Sequence, residues 1–225
     1  MAFALAFLLV AAVFASYAVT LGGWAWVLLW PAASFACVGL AYAGLGVRVF
    51  GKTASGTRRG PHFAVLLPFL LVTWLAWHLY RMTHREPVWH EIRPGLFAGR
   101  RASVRELPPE IDLVVDLTSE FREPRGIRTG RAYRCLPTLD ADAPPDSEFR
   151  ELVEEIAAHP GRVYVHCAQG HGRTGLVVAA VLLARGHAET PADAVEAVRA
   201  VRRGVRLKPR QLAALRRFAA ARAER

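Results

Sequence analysis

The chain has 225 residues, 53% of them hydrophobic and 21% charged, with a formal net charge of +10. This is too apolar for a disordered chain, and membrane segments are expected. A positive balance serves an anionic membrane surface or a phosphate-bearing ligand as well as nucleic acid, and 27 of the 29 basic residues are Arg, so no nucleic-acid partner is inferred.

The charge is unevenly placed. Residues 1–84 hold five basic residues (Arg48, Lys52, Arg58, Arg59, Arg81) and no acid, so all 19 acidic residues follow Arg85. Two compositions predict two regions: an all-helical transmembrane region over 1–84 and a globular domain with its own core over 85–225. Three cysteines, Cys37, Cys135 and Cys167, are too few and too widely spaced for a disulfide framework or a zinc knuckle, and fit a reduced compartment.

Between Met1 and Val47 no side chain is charged, and that run exceeds the length of one span of about 20 residues. It must fold back, and Gly22-Gly23 is the natural turn. This gives spans near 2–21 and 24–47, with a kink expected at Pro31, and a third near 63–80. A cleaved secretory signal would need a positive charge before the apolar run, and none is there. Trp24, Trp26 and Trp30, and again Trp74, Trp77 and Tyr80, form aromatic clusters of the kind found at headgroup level; three spans put both on one side. His78 reads as an interfacial residue. Basic residues nearly tie across the membrane, with four in 48–60 against Arg81, Arg85, Arg93, Arg100 and Arg101 beyond the third span.

From Trp89 onward short apolar runs alternate with helical periodicity, the pattern of an α/β domain. Leu96–Ala98 reads as an edge strand, Leu113–Leu117 and Val163–His166 as buried strands, and Ala132–Leu136 as another. Phe149, Leu152, Val153 and Ile156 recur at helical spacing after Asp146-Ser147. A second helix follows Gly172, is apolar nearly all round and ends at Gly186. Thr190-Pro191-Ala192-Asp193 starts a third, burying Val195, Val198 and Val201. A last one starts near Pro209 and buries Leu212, Leu215 and Phe218.

The stretch His166-Cys167-Ala168-Gln169-Gly170-His171-Gly172-Arg173-Thr174-Gly175 joins a buried strand to a buried helix. A loop with Gly170 and Gly172 can turn successive N–H groups inward as an anion nest, to which the helix adds its positive end. Arg173 can offer a planar fork to two phosphate oxygens. Cys167 lies at the base of that nest, where donors and positive potential favour the thiolate. The bland alternative for Cys167 is a small buried hydrophobe; adjacent and four-apart ligands in Cys167, His166 and His171 make a poor zinc set. His166 reads as structural, bonding to loop backbone, and His171 either touches substrate or is solvated. Cys135 reads as a strand core residue, with a redox role toward Cys167 the lesser reading.

These residues, H-C-x5-R-T, resemble the signature of the cysteine-dependent protein tyrosine and dual-specificity phosphatases. The resemblance runs from Trp89 to the last helix and implies an α/β, dual-specificity-phosphatase-like sheet flanked by helices. It implies Cys167 as nucleophile, Asp140 of Leu136-Pro137-Thr138-Leu139-Asp140 as general acid with Asp142 as its rival, and Arg173 with the loop Ala168, Gln169, Gly170, His171 and Gly172 as phosphate binders. Thr174 is implied to hydrogen-bond the sulfur as it leaves. The stretch Arg206-Leu207-Lys208-Pro209-Arg210-Gln211-Leu212 is similar to an R-P-x-Q-L element of the phosphatidylglycerophosphate phosphatase branch, with Lys208 in place of the usual Arg. Gln169 and His171 stand where some inositol-lipid phosphatases carry lysines, which disfavours a highly charged phosphoinositide.

The implied reaction is phosphate monoester hydrolysis through a cysteinyl-phosphate, calling for no metal or cofactor. The expected partners are membrane lipids and a phosphorylated substrate, a lipid phosphate first and a phosphoprotein second; an inactive phosphate-binding adaptor would need neither thiolate nor acid. A reactive Cys167 favours the cytoplasmic side for the catalytic domain of this multi-pass protein.

Overall fold

Twenty uncharged residues, Ala2–Leu21, form helix α1, and the chain reverses where Gly22 and Gly23 both adopt positive φ (60° and 54°). The computed structural model describes residues 2–223. They fall into two compact units: the residues up to Arg85 with Ser119–Arg122, and Glu86–Thr118 with the residues from Glu123 onward.

In the first unit, α1 packs against α2 (Leu29–Leu40), and α2 against α3 (Gly60–Thr83). Ala4, Ala11 and Ala18, seven apart, are all buried, and Gly39 lies so close that a side chain there would meet Leu8 and the Ala4 carbonyl. Small residues at such spacing let helix backbones approach where no hydrophobic effect drives association. Phe69 meets Phe7 and Phe35 edge to face, at centroid separations of 5.7 and 5.9 Å, while Phe7 and Phe35 lie tilted to each other at 6.2 Å. Short 3₁₀ and π turns extend α2 at both ends, so the second apolar segment runs Gly23–Phe50. Three segments, Ala2–Leu21, Gly23–Phe50 and Gly60–Thr83, are long and apolar enough to cross a membrane.

Pro31 lies where the helix changes type, just after the 3₁₀ turn Gly23–Leu28. It is the third residue of α2, in the first turn, where proline is tolerated better than in a helix interior. The interior proline is Pro68 of α3, which leaves the Ala64 carbonyl without its helical donor. Trp30 Nε1 donates to that carbonyl at 2.9 Å, and Ser34 Oγ accepts from Phe69 N at 3.2 Å. Trp30, read from sequence as a headgroup anchor, thus repairs a helix break within the bundle.

The second unit is a five-stranded mixed sheet in the order β1-β2-β5-β3-β4. Its strands are β1 (Trp89–Arg93), β2 (Leu96–Arg100), β3 (Leu113–Thr118), β4 (Ala132–Thr138) and β5 (Val163–Cys167); β1 runs antiparallel to β2 and the other pairs are parallel. Leu96–Ala98 is therefore not at the edge. β1 flanks it through the Pro94-Gly95 turn, and Ile92 is the one buried residue of β1, too faint an apolar signal to read as a strand.

Period-two alternation sorts the side chains. Val163, Val165 and Cys167 of β5, with Leu113, Val115 and Leu117 of β3, share a core with helices α5 (Asp146–Ala158), α6 (Gly172–Ala184), α7 (Pro191–Val201) and α8 (Pro209–Ala223). Tyr164 and Val114 join the opposite core with Phe97, Ile111 and Ile127, the last from the short helix α4 (Arg125–Arg128). Every residue of α6 from Arg173 to Leu183 is buried, and α5, α7 and α8 pack around it. The Thr190–Asp193 capping box and Gly186 (φ 69°) stand at the helix ends where the sequence places them. Leu212 and Val201 are only partly buried; Ala214 and Gln211 take the inward face of α8 with Leu215 and Phe218.

Candidate active site

The central strand β5 delivers Cys167, 3% exposed, to the start of the loop Ala168–His171, and α6 begins at Gly172. The backbone N–H of Gly170 donates to Cys167 Sγ at 3.2 Å. Gly170 has φ 75°, and a Cβ there would collide with the backbone of Gly99 and Arg100, so glycine is required on both counts. The loop is pinned to the end of β2, since Arg101 N donates to the Ala168 carbonyl at 3.3 Å.

Arg173, in the first turn of α6, is 2% exposed. Its Nη1 donates to the Thr138 carbonyl at 2.9 Å and the Leu117 carbonyl at 3.4 Å, so the ends of β4 and β3 orient the guanidinium. Its Nε lies 3.4 Å from Asp140 Oδ1. Asp140 itself is 69% exposed, on a turn closed by Asp142 N donating to the Leu139 carbonyl at 3.2 Å, with Ala141 at φ 59°.

The two candidate acids differ in what holds them. Asp142 Oδ2 accepts from Arg210 Nη1 at 3.0 Å, its Oδ1 accepts from Ala143 N at 3.0 Å, and its carbonyl accepts from Gln211 Nε2 at 3.1 Å. Gln211 is fully buried; its Oε1 accepts from Lys208 N at 2.9 Å, and its amide lies against Gly172. The Lys208–Leu212 stretch thus ties the acid-bearing turn to the phosphate loop, and Asp142 belongs to that tie. Asp140 faces the Arg173 cation. A thiol under an N–H donor, a buried cation and a solvent-facing carboxylate at one loop can accommodate and attack a phosphate monoester.

Residues 98–224 match the family model described as PTP-SAK: Swiss Army Knife protein, DSP-PTPase phosphatase domain. The chain belongs to this family. Among solved structures, Tk-PTP in the active form is similar at TM-score 0.54 and 25% identity, over 60% of this chain and 97% of that one. PTPMT1 in complex with PI(5)P gives TM-score 0.53 and 24% identity over 60% and 99%. Human DUSP28 gives TM-score 0.52 and 18% identity over 61% and 97%. No curated protein matches the chain.

Three residues in and beside the loop of this DSP-PTPase domain have partners that the sequence did not show. The His171 side chain is held rather than free in solvent: its Nε2 donates to Glu86 Oε2 at 2.6 Å, and its ring covers Gly204. Thr174 Oγ1 donates to the Gly99 carbonyl, 3.5 Å away, and so fastens α6 to β2. His166, on the sheet face opposite Cys167, stacks on Tyr164 with its Nε2 3.9 Å from Glu123 Oε2. Cys135 is buried in β4, opposite Asp116 in the register, and carries no disulfide.

Asp116, Glu123 and His166 bring donor atoms within 4.8 Å of one another. Asp116 is already engaged: Oδ1 accepts from Thr118 N and Oγ1 at 2.8 and 2.7 Å, and Oδ2 from Tyr133 OH at 2.7 Å. Burial, then the Asp116 charge, pushes the Tyr133 phenol up, so it remains a proton donor. Asp116 is the hydrogen-bonded member of this cluster, while Glu123 Oε2 lies 3.7 Å from Arg101 Nε and 3.9 Å from His166 Nε2, at ion-pair range. Sequence reasoning passed over Glu86 and Arg202; Gln211 carried a signal in the R-x-K-P-R-Q-L pattern of Arg206–Leu212, but not its place between the Asp142 turn and Gly172.

Proposed function

We propose that this phosphatase is a membrane-anchored, multi-pass enzyme, with residues 1–84 as the transmembrane anchor and 85–225 as a catalytic domain on the cytoplasmic side. It hydrolyses a phosphate monoester on a phospholipid headgroup. The observation that carries the chemistry is the Gly170 N–H on Cys167 Sγ beside the Arg173–Asp140 pair. The three apolar segments support the anchor, and the short stretch between Thr83 and Trp89 supports a site near the headgroups. That PTPMT1 has been solved with PI(5)P supports a lipid phosphate as the substrate class.

In the first step the Cys167 thiolate attacks phosphorus, the ester P–O bond breaks, and protonated Asp140 gives its proton to the leaving oxygen. Ala168, Gln169, Gly170, His171 and Gly172 supply backbone N–H groups to the equatorial oxygens, and Arg173 neutralises their charge. In the second step Asp140 carboxylate takes a proton from water, whose oxygen attacks the thiophosphate; the S–P bond breaks, releasing phosphate and thiolate. The substrate is tested with full-length protein in anionic vesicles, measuring phosphate release from phosphatidylglycerophosphate against a phosphotyrosine peptide. A higher kcat/KM for the lipid is expected. Equal or better peptide hydrolysis transfers the reading to a phosphoprotein phosphatase, and no turnover of either to a phosphate-binding adaptor.

A further inference from the structure

Behind the phosphate loop lies a fully buried guanidinium, that of Arg202 at the C-terminal end of α7. Burying a cation costs several kcal/mol unless its donors are satisfied. All five N–H groups of Arg202 have acceptors. Nε donates to the Gly170 carbonyl at 2.7 Å; Nη2 to the Gln169 carbonyl and Glu86 Oε2, both at 3.1 Å; Nη1 to the Pro87 carbonyl at 3.2 Å and His90 Nδ1 at 3.0 Å. A guanidinium only donates, so His90 Nδ1 is the acceptor. Burial and the Arg202 charge lower the His90 pKa, in keeping with a neutral ring.

Two of these acceptors belong to the loop. In a planar trans peptide C=O and N–H point in opposite directions. The Gln169 carbonyl on Arg202 and the Gly170 N–H on Cys167 Sγ are the two ends of one peptide. The Gly170 carbonyl on Arg202 likewise turns the His171 N–H the other way. We propose that Arg202, with Glu86 as its counter-ion, is a positioning residue that locks these two peptides with their N–H groups toward the nucleophile and the bound phosphate. Gly170, at φ 75°, lacks the side chain that would oppose a peptide flip, so the lock comes from behind. Glu86 serves both sides of the loop, accepting from Arg202 and from His171 at the α6 N-terminus. A guanidinium on the carbonyl end also polarises the amide and strengthens its N–H as a donor.

The inference rests on Cys167 as nucleophile, and the test separates the two. Full-length wild type, Arg202→Lys and Glu86→Gln are inactivated with iodoacetamide over a pH series spanning the range in which each stays folded. Inhibition by inorganic phosphate and thermal melting are measured alongside. Lysine has three donors on a point charge and cannot serve five acceptors. In Arg202→Lys the inactivation midpoint is expected to rise by about one pH unit and phosphate inhibition to weaken about tenfold, the scale of one charge-assisted hydrogen bond. Glu86→Gln removes a negative charge beside the loop, which by itself would lower the midpoint and strengthen phosphate inhibition; a higher midpoint with weaker inhibition in that variant therefore reports lost positioning and decides the matter should Arg202→Lys not fold. Folded variants with wild-type midpoint and phosphate inhibition overturn the positioning role alone. Iodoacetamide-resistant wild type, or an active Cys167→Ser, overturns the nucleophile and this inference with it.

Discussion

Gln211 Nε2 donates to the Asp142 carbonyl while its Oε1 accepts from Lys208 N, so one buried amide joins the acid-bearing turn to the start of α8. Asp142 is consumed by this tie, which leaves Asp140 beside Arg173.

Asp140→Asn is therefore expected to lower kcat on alkyl phosphates by roughly 10²- to 10⁴-fold and on activated aryl phosphates by much less. Asp142→Asn keeps most of that rate and loses about 1 kcal/mol of stability or less, the scale of a partly exposed ion pair. Steady-state kinetics with two leaving groups checks this, and the reverse pattern would make Asp142 the acid.

Gln211→Leu leaves the Asp142 carbonyl and the Lys208 N–H without their partner, at a cost of about 1–3 kcal/mol each if they stay dry. A lower melting temperature and slower turnover are expected together. A variant that melts like wild type would show that water replaces the amide.

Folding places a carboxylate at Glu86 whose pKa lies below its ordinary value: burial opposes this, but the His171 hydrogen bond and the Arg202 charge outweigh it. A depressed folded-state pKa contributes stability that is complete above the unfolded pKa of about 4.3 and is lost as pH falls through the lower folded value. Wild type should thus lose stability faster than Glu86→Gln below about pH 4.3. Parallel stability curves from neutral to acid pH would contradict the pairing.

Trp30→Phe keeps the ring but strips the donor from the Ala64 carbonyl opposite Pro68. With the bundle in a bilayer as proposed, a loss near 0.6 kcal/mol, and at most about 1.7, is expected for this interhelical hydrogen bond. Pro68→Ala restores the helical donor, so Trp30→Phe should cost less in that background. Unfolding in mixed micelles reads the cycle.

The helices and central strands were legible because their signals are local. The Thr190–Asp193 capping box, a glycine stop and runs such as Leu113–Leu117 and Val163–His166 each declare themselves within a few residues. The loop from His166 to Thr174 was legible because nucleophile, glycines and arginine share one stretch of chain. β1 was not, since only Ile92 of its five residues is buried. Nor was the Arg202–Glu86 pair, whose members stand 116 residues apart and carry no spacing that marks them. His171 was placed in the loop by sequence, but its partner Glu86 arrives from the start of the domain. Pro68 passed unnoticed because the groups that repair its break belong to another helix.

The most direct test of the central claim is to catch the covalent intermediate. Asp140→Asn, given an activated aryl phosphate, forms the thiophosphate without needing the acid, then lacks the carboxylate that activates water. Acid-quenched samples, digested and read by mass spectrometry, are expected to carry one phosphoryl group on the peptide containing Cys167, absent in Cys167→Ser. Phosphate on another residue, or undiminished turnover by Cys167→Ser, would contradict the account.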